Sequence, residues 1–228
     1  MNKNYAEKLS SLTVFRGLLS DPVISKLKTL LDCGGETEEF INCYSDFAGE
    51  LFKTTDNLSD YVLNITLENE NPYMLKRAED GTASAVLERA VDEELTILQE
   101  VSQLSSFEVC FNLGYSGYLA QWDTTEYDFH KIYAERIENV RTKGYGIYAK
   151  YHTFMFRDDR IVPVRNPDTQ KLSQLRGYTD ERKKVIDNTI ALLDGKPAAN
   201  VLLYGDAGTG KSSTVKAIVN EFKDRGLR

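Results

Sequence analysis

The segment Gly205-Asp206-Ala207-Gly208-Thr209-Gly210-Lys211-Ser212 restricts this chain more than any other. It satisfies G-x-x-x-x-G-K-[ST] at every fixed position, a match expected by chance about once in a hundred chains of this size. Before it, Val201-Leu202-Leu203-Tyr204 is a short apolar run suited to a buried parallel strand. After it, Val215, Ile218, Val219 and Phe222 stand at offsets of 0, 3, 4 and 7, one face of a helix that Gly226 stops. A lone parallel strand with one helix cannot bury itself, because such sheets need neighbours and cover on both faces. The expectation is that the last part of the chain is the incomplete start of an α/β domain, and that the chain is the front part of a larger protein.

The chemistry of the segment follows from its residue types. Glycines at 205, 208 and 210 let the backbone curl until its N–H groups face phosphate oxygens. A helix beginning near Lys211 adds the positive end of its dipole. Lys211 is expected to reach β- and γ-phosphates as a point charge, and Ser212 to offer its hydroxyl to a bridging Mg²⁺. Asp206, Ala207 and Thr209 complete the nucleotide-binding stretch, and Ser213 opens the helix behind it, where a structural role suffices. Hydrolysis would further need an acidic Mg²⁺ ligand from a neighbouring strand and a group that positions water.

The first hundred residues read as helices. Asp21-Pro22 is a cap followed by proline at the first helical position, and Val23, Leu27, Leu30 and Leu31 hold one face until Gly34-Gly35. From Thr37, apolar residues recur at Phe40, Tyr44, Phe47, Ala48 and Leu51. A weaker helix is expected over residues 59–67, with Asn71-Pro72 breaking the chain after it. The longest helix is expected over 83–104, with an apolar half running from Val86 and Leu87 to Leu104. Glu94 projects into that half, and is expected to reach its edge or pair with an arginine rather than act as a shifted carboxylate in a cleft.

Residues 107–156 hold 13 of the 24 aromatics, among them Phe107, Phe111, Tyr115, Tyr118, Trp122, Phe129, Tyr133, Tyr148 and Phe156. With 5 basic and 6 acidic residues in the same stretch, the cationic half of a base-stacking signature is missing. Phe129, Tyr133, Ile137 and Val140 sit at helical spacing, which favours core packing. Two short strands are expected at 151–156 and 161–164 around Asp158-Asp159, with Pro163 confining the second to an edge. These patterns predict a mostly α, acidic N-terminal domain with a small β-hairpin over 1–165, a linker over 166–176 containing the turn Asn166-Pro167-Asp168, and the nucleotide-binding part over 177–228.

Charge divides the same way. Residues 177–228 carry 9 basic and 7 acidic side chains, a net of +2, leaving 19 basic and 28 acidic, a net of −9, in residues 1–176. So acidic a region repels phosphate backbones, so nucleic acid is not expected to bind there. Cys33, Cys43 and Cys110 are an odd set without a C-x-x-C spacing, which agrees with a reducing compartment, and Cys43 is expected as a core thiol. Only two histidines occur, so no metal-ligand constellation is visible, and His130 reads as an ordinary packed or solvated side chain. The chain shows no apolar run of about 18 residues and no signal peptide in its first twenty, which points to a cytoplasmic protein away from membranes.

The wider segment carries a resemblance. Leu175-Arg176-Gly177-Tyr178 precedes an expected helix over 180–193, followed by Gly195-Lys196-Pro197-Ala198-Ala199-Asn200 and the apolar run. This order resembles the opening of an AAA+ ATPase module. Asn188-Thr189, Lys196-Pro197-Ala198, Asn200 to Ser213, Val215-Lys216-Ala217 and Arg225-Gly226-Leu227-Arg228 are similar to an uncharacterised bacterial ATPase family, domain of unknown function 815. Where that family leads one to expect Asn-Asn, this chain has Ala199-Asn200. The resemblance implies ATP and Mg²⁺ as cofactors and places Gly177 and Tyr178 beside the adenine. It implies hydrolysis and ring assembly, a homo-oligomer, only for a full-length protein carrying the acidic, sensor and arginine residues of the family. The leading expectation is thus an ATPase that couples nucleotide state to remodelling of a protein partner. A small-molecule kinase on the same loop and a non-catalytic interaction module are the alternatives.

Overall fold

The computed structural model describes residues 2–34, 37–110 and 114–228, so Gly35 and Phe111 of the patterns above lie outside the described residues. The chain is mostly helical and falls into two compact units, Met1–Val140 and Arg141–Arg228.

The first unit is built from helices α1 (Asn2–Ser11), α2 (Pro22–Asp32), α3 (Thr37–Leu51), α4 (Leu58–Glu68), α5 (Pro72–Asp80), α6 (Ala85–Ser102), α7 (Ser106–Val109) and α8 (Phe129–Glu138). The starts of α2 and α4 to α8 are fixed by side-chain caps that accept the otherwise orphaned N–H groups of a first turn. Asp21 accepts from the Val23 and Ile24 N–H groups at 2.9 and 3.1 Å. Asn71 accepts from the Met74 N–H at 2.9 Å, while its amide donates to the Tyr133 hydroxyl at 3.0 Å. Asn71-Pro72 follows the break after α4 and also starts α5, because proline at the first helical position gives up an N–H that has no partner there anyway.

The core collects Leu27, Leu30 and Leu31 of α2, Tyr44, Phe47 and Leu51 of α3, Leu95, Leu98 and Val101 of α6, and Phe129, Tyr133 and Ile137 of α8. Burial pushes the Tyr133 hydroxyl well above its ordinary range. Trp122 seals one end. Its ring lies 5.2 Å from that of Tyr44 and 5.0 Å from that of Phe47, and its indole N–H donates to the Leu104 carbonyl at 2.8 Å. Glu94 corrects the expectation of an edge or arginine-paired carboxylate. It is buried, and its oxygens accept from the backbone N–H groups of Thr13, Val14 and Phe15 at 2.8, 3.0 and 2.9 Å. The turn after α1 leaves three N–H groups together, and one carboxylate on α6 satisfies all of them. Cys43 also differs from expectation: it is half-buried, and burial together with the neighbouring Cys33 pushes its thiol up. His130 sits at the surface, against Asp92 at 2.8 Å and Thr96 at 3.1 Å.

The chain continues through α9 (Val140–Lys143) and, in the second unit, α10 (Ile147–Lys150), β1 (Phe154–Arg157), β2 (Arg160–Pro163), α11 (Thr179–Leu193) and α12 (Lys211–Phe222). β1 and β2 pair antiparallel with Phe154 opposite Pro163 and Arg157 opposite Arg160. Asp158 and Asp159, at φ 50° and 58°, form the left-handed two-residue turn that suits strand twist, and Pro163 has its edge position.

Two expectations about the second unit fail. No strand forms at Val201–Tyr204; among the described residues nothing pairs with it, and Leu202 and Tyr204 are 83% and 88% exposed. A parallel strand exists only through hydrogen bonds to neighbours, so an apolar run without them stays an open extended segment. The buried row of α12 is Thr214, Ala217 and Ile218, with Val215 exposed. The helical period is right but its phase is shifted by one residue, because a threonine and an alanine, small enough for close approach, lead the packed face.

Division by compactness also sharpens the charge pattern. Residues 141–228 carry 17 Lys and Arg against 10 Asp and Glu, a net of +7, and residues 1–140 carry 11 against 25, a net of −14. No helix among the described residues is long and apolar enough to cross a membrane.

Candidate functional site

α12 begins at a glycine-rich turn. Gly205, Gly208 and Gly210 have φ of 135°, 80° and 80°, in the region that L side chains rarely adopt. Gly210 caps the helix, and a methyl group added at Gly208 or Gly210 would meet no atom within 4 Å. The turn is thus open toward solvent, and its glycines serve the backbone conformation rather than close packing. Thr209 braces it by donating to the Asp206 carbonyl at 2.9 Å.

Lys211 folds back over the turn. Its ammonium donates to the Gly205 and Asp206 carbonyls at 2.9 and 2.6 Å and to the Thr209 hydroxyl at 3.2 Å. No carboxylate pairs with it among the described residues, so its charge is held by neutral oxygens alone. A cation without a counter-charge and the N-terminus of a twelve-residue helix both favour an anion at the same spot.

The other wall comes from the turn before α11. Gly177 and Tyr178 both lie at positive φ, 69° and 50°. For a tyrosine that conformation costs about 1–2 kcal/mol. Arg182 holds it in place, donating from its guanidinium to the Leu175 carbonyl at 3.2 Å and the Gly177 carbonyl at 2.8 Å. Farther along α11, the Asn188 amide makes two bonds to the Ala199 backbone, at 2.9 and 2.8 Å, and fixes the start of the segment that leads into Gly205. Asp194 pairs with Lys196 and with Arg225 at 3.1 and 2.6 Å, so its carboxyl lies below the usual range, chiefly through Lys196. Residues 166–176 are tied to α12 by the Asn220 amide, which donates to the Asp168 and Gln170 carbonyls at 2.7 and 2.9 Å.

Between the walls lies a cleft of about 260 Å³. Of the residues singled out from sequence, Tyr178, Gly205, Asp206, Thr209 and Lys211 line it; Gly177, Ala207, Gly208, Gly210, Ser212 and Ser213 do not. Ser212 is exposed on the first turn of α12. Glu181, Arg182, Val185, Leu203, Tyr204 and Thr214 complete the lining and were not anticipated. Their signal was present in part: Glu181, Arg182 and Val185 follow Tyr178 at offsets of 3, 4 and 7, one face of α11. The residues present fit a phosphorylated ligand. The glycine turn, helix terminus and uncompensated Lys211 suit its anionic end, and the tyrosine and aliphatic side chains suit a flat apolar end.

The site is therefore of the kind in which a glycine-rich turn and a helix N-terminus face an aromatic wall. Residues 149–228, which contain all of it, match the family described as "Protein of unknown function (DUF815)". This bears out the resemblance to domain of unknown function 815 and extends it back through the hairpin. No curated protein and no solved structure matches the chain.

Proposed function

We propose that the second unit is a Mg·ATP-binding module of the AAA+ type, acting in the cytoplasm, and that its nucleotide state is coupled to a protein partner recognised by the acidic first unit. The observation that carries this reading is the ring of neutral oxygens around Lys211 at the N-terminus of α12. Arriving phosphate oxygens would offer that ammonium a stronger, charged acceptor than the carbonyls it now uses. Ser212, on the first helical turn, would hold Mg²⁺, whose charge would help stabilise the bound phosphates. Tyr178 would face the base. A net charge of −14 on the first unit supports a protein partner over a nucleic acid, and homo-oligomer assembly is proposed only for a full-length protein that carries the rest of the module.

Equilibrium binding of Mg·ATP to the wild-type chain and to Lys211→Ala tests the reading. Loss of the charged contact is expected to weaken affinity about a hundredfold, from the usual worth of charge-assisted bonds. Equal affinity in the two proteins would remove it.

A further inference from the structure

Arg182 does more than line the cleft. It reaches back to the turn at residues 175–178 three times: its backbone N–H donates to the Tyr178 carbonyl at 3.0 Å, and its guanidinium to the carbonyls of Leu175 and Gly177. Those bonds keep Gly177 and Tyr178 in consecutive left-handed conformations, which a tyrosine would not hold unaided. The consequence is positional. Tyr178 enters the cleft lining 57% exposed, a ring facing solvent instead of packed away. One donor is also left over. Arg182 Nε is buried and has no hydrogen-bond partner, although polar groups so placed are normally satisfied. It lies in a residue that forms the wall of the same cleft.

We propose that Arg182 is the positioning residue for the base end of the nucleotide, holding the Tyr178 ring where a planar nucleobase stacks on it. The inference rests on the Mg·ATP reading and adds a division of labour. Lys211 and the glycine turn take the phosphates, which every nucleoside triphosphate and inorganic tripolyphosphate share. Arg182 and Tyr178 take the base, which tripolyphosphate lacks.

Competitive binding of ATP and of inorganic tripolyphosphate, both with Mg²⁺, separates the two ends. Stacking on one aromatic ring is commonly worth a tenfold or larger change in affinity. Arg182→Ala and Tyr178→Ala are each expected to weaken ATP about tenfold and leave tripolyphosphate unchanged, while Lys211→Ala weakens both. Arg182→Lys is expected to recover part of the ATP affinity, since a lysine can reach one carbonyl but lacks the fork that spans two. A merely structural role for Arg182 would weaken both ligands alike. That result, or undiminished ATP binding in Arg182→Ala and Tyr178→Ala, overturns the inference while leaving the phosphate site intact. Should Arg182→Ala unfold, the ratio of ATP to tripolyphosphate affinity in Tyr178→Ala and Arg182→Lys decides in the same way. A wild-type chain that binds neither ligand overturns both the inference and the reading beneath it.

Discussion

In residues 1–140 nearly every long helix turns a row of side chains into full burial, from Leu9 in α1 to Ile137 in α8, whereas among the described residues of 141–228 only Thr214, Ala217 and Ile218 are buried. The first unit is closed by its own side chains, including a carboxylate spent on three backbone N–H groups. The second is held by hydrogen bonds near its surface, through Arg182, Asn188, Asp194 and Asn220, and leaves Leu202 and Tyr204 in water. A stable scaffold can be strongly acidic on its outside. The cleft of the second unit, proposed to admit an anion, keeps its cation and its apolar residues accessible.

That contrast can be broken at defined points. Trp122 is the single tryptophan and lies buried in the first unit, so its fluorescence follows that unit alone. Glu94→Ala strands three N–H groups and should cost about 4 kcal/mol in urea unfolding read by Trp122, given the usual cost of an unsatisfied buried donor. A cost under about 1 kcal/mol would show that water replaces the carboxylate and that the first unit is less closed than described. Leu98→Ser, at a fully buried α6 position, should cost about 3 kcal/mol. In the second unit, Asn188→Ala removes both bonds to Ala199 and should cost about 1 kcal/mol there, seen as faster hydrogen exchange of the Ala199 amide with the Trp122 transition unmoved. Leu202→Ser should fall within about 0.5 kcal/mol of wild type, because its side chain already faces water. A cost near that of Leu98→Ser would mean that the 201–204 segment is covered in solution.

Local chemistry explains which parts were legible in sequence. Asp21 announced its helix because a cap acts through neighbours two or three residues away. Asn71-Pro72 has the same form as Asp21-Pro22, yet it reads as a breaker when no apolar row behind it is recognised. The two short strands and their Asp158-Asp159 turn were legible because the pairing is local; their bounds moved by only a few residues. Glu94 was not legible, since its partners lie about eighty residues away and are backbone groups, which carry no sequence signal. The strand at 201–204 failed for a related reason: composition registers apolarity, but a strand also requires a neighbour. At the site, the glycine pattern located the turn at α12, while Arg182 stayed hidden because its role depends on the fold of the residues just before it.

The central claim is that one cleft in residues 141–228 takes Mg·ATP between the glycine turn and Tyr178, and its most direct test is amide hydrogen exchange with and without Mg·ATP. Slowed exchange is predicted in two stretches together, residues 205–214 and 175–182, with the first unit unchanged. Slowing confined to residues 1–140, or in neither stretch, would contradict the account.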